Sequence, residues 1–239
     1  MFKRVVIKLS GEALAGKSIT KFYDDNIISG IVLQIKELAE KGVGVALVVG
    51  GGNIWRGRDN NVNIDKVRTD QIGMMATVMN ALYLADSFER AGVDAKVMTP
   101  VIVGTVTEQF SKRAALDHMD KKGVVIFAAG TGHPFFSTDT IAAIRTAELE
   151  ACALLFAKNV DGVYTADPKK DGNATKLDQI TYRQVIENNM TVIDTAASAI
   201  CEQQGILSII FGLDEPGAIV KCATGDNDVI YQIGTRVEA

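Results

Sequence analysis

Histidine and cysteine are scarce in this chain, with two of the first and three of the second among 239 residues. His118 and His133 are too few for a histidine-based metal centre. Cys152, Cys201 and Cys222 lie far apart without metal-ligand spacing, and their odd number argues against a disulfide framework. They read as small apolar fillers in a reducing compartment. Basic runs are missing as well, and the net charge is −4, so nucleic-acid binding by bulk electrostatics has no support. No apolar run approaches membrane-spanning length. The opening "MFKRVVIKLS" interrupts its short apolar stretch with Lys8, which a signal peptide would not do. The expected location is the cytoplasm, with neither membrane nor nucleic acid as a partner.

What remains is an ordinary soluble composition, 47% hydrophobic and 23% charged. It is enough for a sizeable core without disulfides. Without repeats, low-complexity tracts or a linker, residues 1–239 read as one domain with two lobes around a cleft. Short β-branched runs recur: "RVVIKL" from Arg4, "VGVALVV" from Val43, "DAKVM" from Asp94, "VVIFAA" from Val124, "ALLFA" from Ala153, "LSIIF" from Leu207 and "DVIYQI" from Asp228. Helical patterns lie between them. Ile28, Ile31, Ile35 and Leu38 repeat at helical spacing and stop at Lys41-Gly42. "KRAALDHMDKKG" and "DTAASAICEQQG" each end in glycine, as helices do. Strands alternating with helices predict an α/β fold, a mostly parallel sheet covered on both faces. A second stripe, Ile72, Met75, Met79 and Leu82, reads as core packing rather than a partner groove.

The stretch "VVGGGNIWRG" (48–57) ends an apolar strand in three glycines. Glycine costs backbone entropy and packs nothing, so three together mark a close approach to the backbone. Two other strand ends are similar. The first runs into "KLSGEA" and the one from Val124 into "GTGHPFFSTDT". Ligands gather at the carboxyl ends of parallel strands. Glycine turns with exposed N–H groups, followed by helix starts, cradle phosphate there. Lys8 sits inside the first strand, two residues before Ser10-Gly11. It either reaches solvent from an edge strand or meets an anion, since a buried ammonium needs one.

"GEALAGKS" (11–18) matches the P-loop pattern, which would place Lys17 on phosphate oxygens and Ser18 on magnesium. Against it, "SITKFYDD" is a poor helix start, Asp24 or Asp25 is a better N-cap, and no apolar strand ends in the Asp that a P-loop enzyme needs for magnesium.

"KLSGEAL", "VVGGGNIWRG", "GMMATVMNAL", "AGTGHPFFSTDTIAAIR" and "NVDGVYTADP" occur in order. Together they resemble bacterial UMP kinases (uridylate kinases) of the amino acid kinase superfamily, over nearly the whole chain. "GTGHPFFSTD" is the most specific piece; the triple glycine and the N-terminal lysine are shared with carbamate, aspartate and acetylglutamate kinases. The resemblance implies a three-layer α/β/α fold with a central mostly parallel sheet, and phosphorylation of UMP by ATP with Mg²⁺ in pyrimidine nucleotide biosynthesis. It also implies a homohexamer.

Site roles follow from the same resemblance. Lys8 matches the lysine that bridges the transferred phosphoryl group. Ser10, Gly11, Gly51 and Gly52 match the phosphate loops, Gly51 on the UMP side and Gly52 on the ATP side. Arg56 matches an arginine near the phosphates, whose fork suits phosphate oxygens. Asp70 matches the acid on the UMP ribose. Thr131, Gly132, His133, Pro134, Phe135, Phe136, Ser137 and Thr138 match the UMP-binding loop, with the two phenylalanines shaping the uracil pocket and Asp139 suiting a helix start by charge. Lys158, Asn159, Tyr164 and Asp167 match the adenosine contacts. Asp194 matches the acid that orients the catalytic lysine, and is equally a natural N-cap.

The chain departs from the family in three places. "KSITKFYDD" replaces a glycine-rich piece that bears on GTP activation, Gly212 stands where Asn is common, and Lys158 where Thr is. Another kinase of the superfamily, acting on carbamate or an amino acid, is the alternative within the fold. A nucleotide-binding sensor without turnover is the alternative outside catalysis.

Overall fold

A computed structural model describes residues 1–16, 21–56, 64–166, 168 and 170–239. Along the chain run β1 (Arg4–Leu9), α1 (Gly11–Ala15), α2 (Asp25–Glu40), β2 (Gly44–Val49), α3 (Lys66–Arg90), β3 (Ala95–Thr99), β4 (Glu108–Gln109), α4 (Lys112–Asp120), β5 (Val124–Phe127), α5 (Thr138–Glu148) and β6 (Ala153–Lys158). There follow β7 (Val163–Tyr164), β8 (Lys176–Leu177), β9 (Gln179–Thr181), α6 (Tyr182–Glu187), α7 (Thr195–Gln204), β10 (Ser208–Gly212), α8 (Ala218–Thr224), α9 (Asn227–Ile233) and β11 (Gly234–Glu238).

Among the described residues, nine strands form one sheet in the order β4-β3-β5-β2-β1-β6-β10-β11-β9. Its pairings are parallel except β10 with β11. Strands β5, β2, β1 and β6 are successive neighbours, so the three glycine-bearing ends lie side by side on one edge.

The pleat sorts side chains onto two faces. Val5, Ile7 and Leu9 of β1 pack with α2, α3 and α8; Val6 packs with α4, α5 and α7. Both faces are therefore apolar, as a covered parallel sheet requires. The helices begin where the sequence offers side-chain acceptors. Asp24 accepts from the Asn26 and Ile27 amides at the start of α2, and Gly205 closes α7 in the left-handed conformation.

Three expectations fail, the last in part. "DVIYQI" is not a strand: Asp226 accepts the Val229 amide and starts α9, Ile230 is buried, and the strand is the next segment, β11. The P-loop reading fails because residues 11–15 are already helical and the helix stops at Gly16, φ +59°, before the lysine; Lys17 and Ser18 themselves lie outside the described residues. The core stripe of α3 holds only in part: Leu82 packs against the core, whereas Ile72, Met75 and Met79 do not. These side chains are 39%, 46% and 52% exposed, and α3 buries Ala76, Thr77, Val78, Asn80, Ala81 and Leu84 instead. The helix turns its small and polar face inward because the glycine corner presses on it.

Candidate active site

Lys8 follows Val6 on the face of β1 that α5 covers, and it is buried. Two residues beyond Phe156, Lys158 ends β6 on the same face. Two buried ammoniums on adjacent strands need a counter-ion, and Asp139 supplies it. Ser137 caps α5 by accepting the Asp139 and Thr140 amides, which places Asp139 in the first turn. One Asp139 oxygen lies 2.8 Å from Lys8 Nζ and the other 2.9 Å from Lys158 Nζ. Lys158 also donates to the Val192 carbonyl. Burial alone would push the Asp139 carboxyl up, but the flanking ammoniums win and hold it below the usual carboxylate range. Burial pushes Lys158 down, against the pull of Asp139.

The expectation that Asp194 orients Lys8 is corrected here. The carboxylate paired with Lys8 is that of Asp139. Asp194 caps α7 through the Ala197 amide at 2.8 Å and accepts the hydroxyls of Ser137 and Thr140, so it ties the start of α7 to the start of α5. Asp139 was legible only as a charge at a helix start. The stronger signal was the pair of lysines at the ends of neighbouring apolar strands, each in want of an anion.

Two of the three glycine turns, at Gly11 and at Gly50–Gly52, pack backbone against backbone. A Cβ on Gly11 would sit 2.6 Å from the Gly52 nitrogen and 2.7 Å from the Gly50 oxygen; one on Gly51 would sit 2.9 Å from the Gly73 oxygen and from the Ala76 Cβ. The glycines thus allow the loops to nest against each other and against α3, beside Lys8.

Two clefts meet at this corner. The larger, about 1200 Å³, is lined by Lys8, Ser10, Gly11, Lys158, Asn159 and Tyr164 and runs on to Gln184 and the 188–192 segment. The smaller, about 410 Å³, is lined by Asp70, Phe135, Phe136 and Ser137, with Trp55 and Lys66. Gly51, Gly52 and Thr138 line both. Arg56 lies beside the corner, its Nε donating to the Gly52 carbonyl at 2.9 Å and its guanidinium 3.2 Å from Glu12. Asp70 accepts the Phe135 amide at 2.8 Å and pairs with Lys66 at 3.1 Å.

Thr131, Gly132, His133 and Pro134 do not line either cleft; the Thr131 hydroxyl turns this segment by bonding the His133 backbone at 3.2 Å. Asp167 lies outside the described residues. Gln184 and residues 188–192 are cleft-lining positions that the sequence reading did not reach. Gln184 sits on the short helix α6 and residues 188–192 in the segment after it, where no charge or glycine pattern singles them out.

A model of the amino acid kinase family matches residues 3–212. The chain belongs to the amino acid kinase family. Among solved structures it is similar to UMP kinase from Bacillus anthracis, at 33% identity and a TM-score of 0.92, over 99% of this chain and 96% of that one. It is also similar to UMP kinase from Ureaplasma parvum, at 35% identity and a TM-score of 0.90, over 99% of each chain. The expected family fold, a mostly parallel sheet between helical layers, is the one observed.

Proposed function

We propose that this chain is a UMP kinase, which transfers the γ-phosphoryl group of ATP to UMP to give ADP and UDP. The observation that carries the reading is the junction of the two clefts at Gly51, Gly52 and Thr138, above Lys8, Asp139 and Lys158. ATP takes the larger cleft, with Ser10, Gly11 and Gly52 at its phosphates and Asn159 and Tyr164 toward the nucleoside. UMP takes the smaller, with Asp70 at the ribose and Phe135 and Phe136 at the base. The likeness to two UMP kinases supports this acceptor over carbamate or an amino acid.

In the transfer, an oxygen of the UMP phosphate bonds to the γ-phosphorus while the bond from that phosphorus to the β-phosphate oxygen breaks. No general base is required, because a phosphate monoester is largely ionised above a second pKa of about 6. The chain's residues position and neutralise. Lys8 and Lys158 bring positive charge to the transferred group, Asp139 holds both ammoniums in place, Arg56 adds a bidentate fork, and Asp194 fixes α7 against α5. Among the described residues no group of three or more His, Cys, Asp or Glu forms a metal cage. Mg²⁺, which the reading includes, would be held by the phosphates of ATP with one or two carboxylates and would neutralise phosphate charge.

The reading includes one domain, a cytoplasmic location and a homohexamer. No helix among the described residues is long and apolar enough to cross a membrane. The exposed stripe of Ile72, Met75 and Met79 on α3 supports self-association. A coupled ADP-release assay over UMP, CMP, AMP, GMP, carbamate and aspartate tests the function. Strong preference for UMP is expected; equal use of CMP, or turnover only with carbamate or aspartate, overturns it.

A further inference from the structure

Helix α3 carries two buried polar side chains three residues apart, Thr77 at 3% exposure and Asn80 at 0%. Neither is needed to satisfy the helix itself, and a hydroxyl or an amide in a core is costly unless bonded. Both are bonded, to the two loops that flank the transfer point. Asn80 Nδ2 donates to the Gly50 carbonyl at 2.7 Å and to Asn53 Oδ1 at 2.7 Å, while Asn53 Nδ2 returns a bond to Asn80 Oδ1 at 3.1 Å and donates to the Phe22 carbonyl at 2.8 Å. The glycine corner is thereby held from its first glycine, Gly50, to Asn53 beyond its last.

Thr77 holds the other loop. Its hydroxyl donates to the Met74 carbonyl at 2.6 Å and accepts the Ala129 amide at 2.7 Å. Ala129 opens the 129–138 loop and is itself left-handed, φ +61°, without being glycine. Such a conformation costs about 1–2 kcal/mol and persists only where its surroundings over-determine it. Ala129 is fully buried and its N–H has one fixed acceptor, so Thr77 sets where the loop turns. Between these two bonds, Gly51 is pressed against the backbone of Gly73 and Thr77.

We infer that Thr77 and Asn80 are a positioning pair: one turn of α3 acts as a rigid gauge that fixes the distance between the glycine corner and the acceptor loop, and so between the two phosphates. This deepens the UMP kinase reading and rests on it. In-line transfer loses about 10²-fold for a misplacement near 1 Å. Asn80 lines neither cleft, and Thr77, which lines the smaller one, has its hydroxyl committed to Met74 and Ala129, so the pair acts through the two loops.

The test uses the full chain and the variants Thr77→Val, Thr77→Ser, Asn80→Ala and Thr77→Val/Asn80→Ala. Thr77→Val keeps shape but loses the acceptor. It is expected to speed hydrogen exchange of the Ala129 amide and to raise the KM for UMP about tenfold while the KM for ATP stays within about twofold; Thr77→Ser restores both. Asn80→Ala is expected to lower kcat about 10²-fold. The double variant is expected to lose little more in kcat than the worse single one, because a gauge broken at one end no longer measures. UMP binding is followed by fluorescence of Trp55, the sole tryptophan, which lines the smaller cleft, so affinity is read without turnover. The inference is overturned if Thr77→Val matches the wild type in both KM values and kcat, if Thr77→Ser fails to rescue, or if the losses in the double variant multiply. If Asn80→Ala fails to fold, Thr77→Val and its serine rescue decide alone. Should the wild type phosphorylate another acceptor, the UMP reading falls, and the same KM split measured with that acceptor still decides the role of Thr77.

Discussion

Lys8, from the first strand, and Asp139, from the first turn of α5, meet at 2.8 Å on the floor where the two clefts join. The pair is nearly buried, with side-chain exposures of 9% and 12%. Removing one member of such a pair leaves the other uncompensated. Asp139→Asn leaves two close ammoniums without their shared anion, and is expected to cost about 3–5 kcal/mol of stability as well as most turnover. Lys8→Ala leaves Asp139 with Lys158, so its stability loss is smaller, while kcat falls about 10²–10³-fold. Urea denaturation and the ADP-release assay measure both. A fully active Lys8→Ala protein would refute the assignment.

The same trio sets a pH dependence. The Asp139 carboxyl lies below its unfolded value, so its contribution to stability is complete above that value and is lost as pH falls through the folded one. The acid limb of the stability curve should therefore flatten in Asp139→Asn. Lys158 lies below the ordinary lysine range because it is buried. Its protonated form is disfavoured by folding. That penalty is complete at pH below the folded pKa and is relieved as pH rises from there to the unfolded value. Lys158 therefore loses its proton at a lower pH than an ordinary lysine. Turnover should show an alkaline limb beginning below the lysine range, and Lys158→Arg, which stays charged, should move that limb upward. A limb unmoved in Lys158→Arg assigns the titration to another group.

Much of this site was legible because glycine, lysine and β-branched runs leave local signatures. Lys8 inside an apolar strand pointed to an anion, and the three glycine ends pointed to one edge of a parallel sheet; both follow from residue type and order alone. The identity of the anion did not follow, because Asp139 and Asp194 both stand at helix starts and only the packing of α5 on β1 decides between them. The exposed stripe of α3 was misread for a related reason. Periodicity shows that a helix has an apolar side, not which side meets the sheet, and here the glycine corner demands the small and polar side inward. "DVIYQI" has strand-like residues, yet a single capping aspartate, Asp226, turns it into a helix.

Gly51 tests whether the glycines serve packing. Alanine there places a Cβ 2.9 Å from the Gly73 carbonyl and from the Ala76 methyl. Both neighbours belong to a rigid helix, so the corner must move. Gly51→Ala is expected to cost about 1–3 kcal/mol and to lower kcat at least about tenfold. Gly30, in the middle of α2, has nothing within 4 Å of an added Cβ. Gly30→Ala should be neutral in activity and gain up to about 1 kcal/mol from helix propensity. Equal activity in the two variants would show that the corner tolerates displacement.

Lys17 separates the two phosphate-binding readings. The helix after β1 stops at Gly16, so residues 11–15 of the P-loop match are helical where a P-loop needs an open cradle of amides. Lys17→Ala should retain most turnover with UMP; a dead Lys17→Ala protein of unchanged stability would reopen that reading.

The outer side of α3 bears the prediction on assembly. Met75 and Met79 are about half exposed and lie one turn apart, next to Ile72, while the opposite side of the same helix presses on the glycine corner. Apolar side chains grouped in this way mark a surface that another protein covers, and the proposed homohexamer supplies a second copy. Met75→Lys/Met79→Lys places two ammoniums on that surface, where burial without partners is prohibitive. Sedimentation velocity is expected to show smaller species than the wild type, with far-ultraviolet circular dichroism unchanged. If the double lysine variant sediments as the wild type does, the stripe is no part of a subunit interface, and the proposal that it holds a homohexamer together falls.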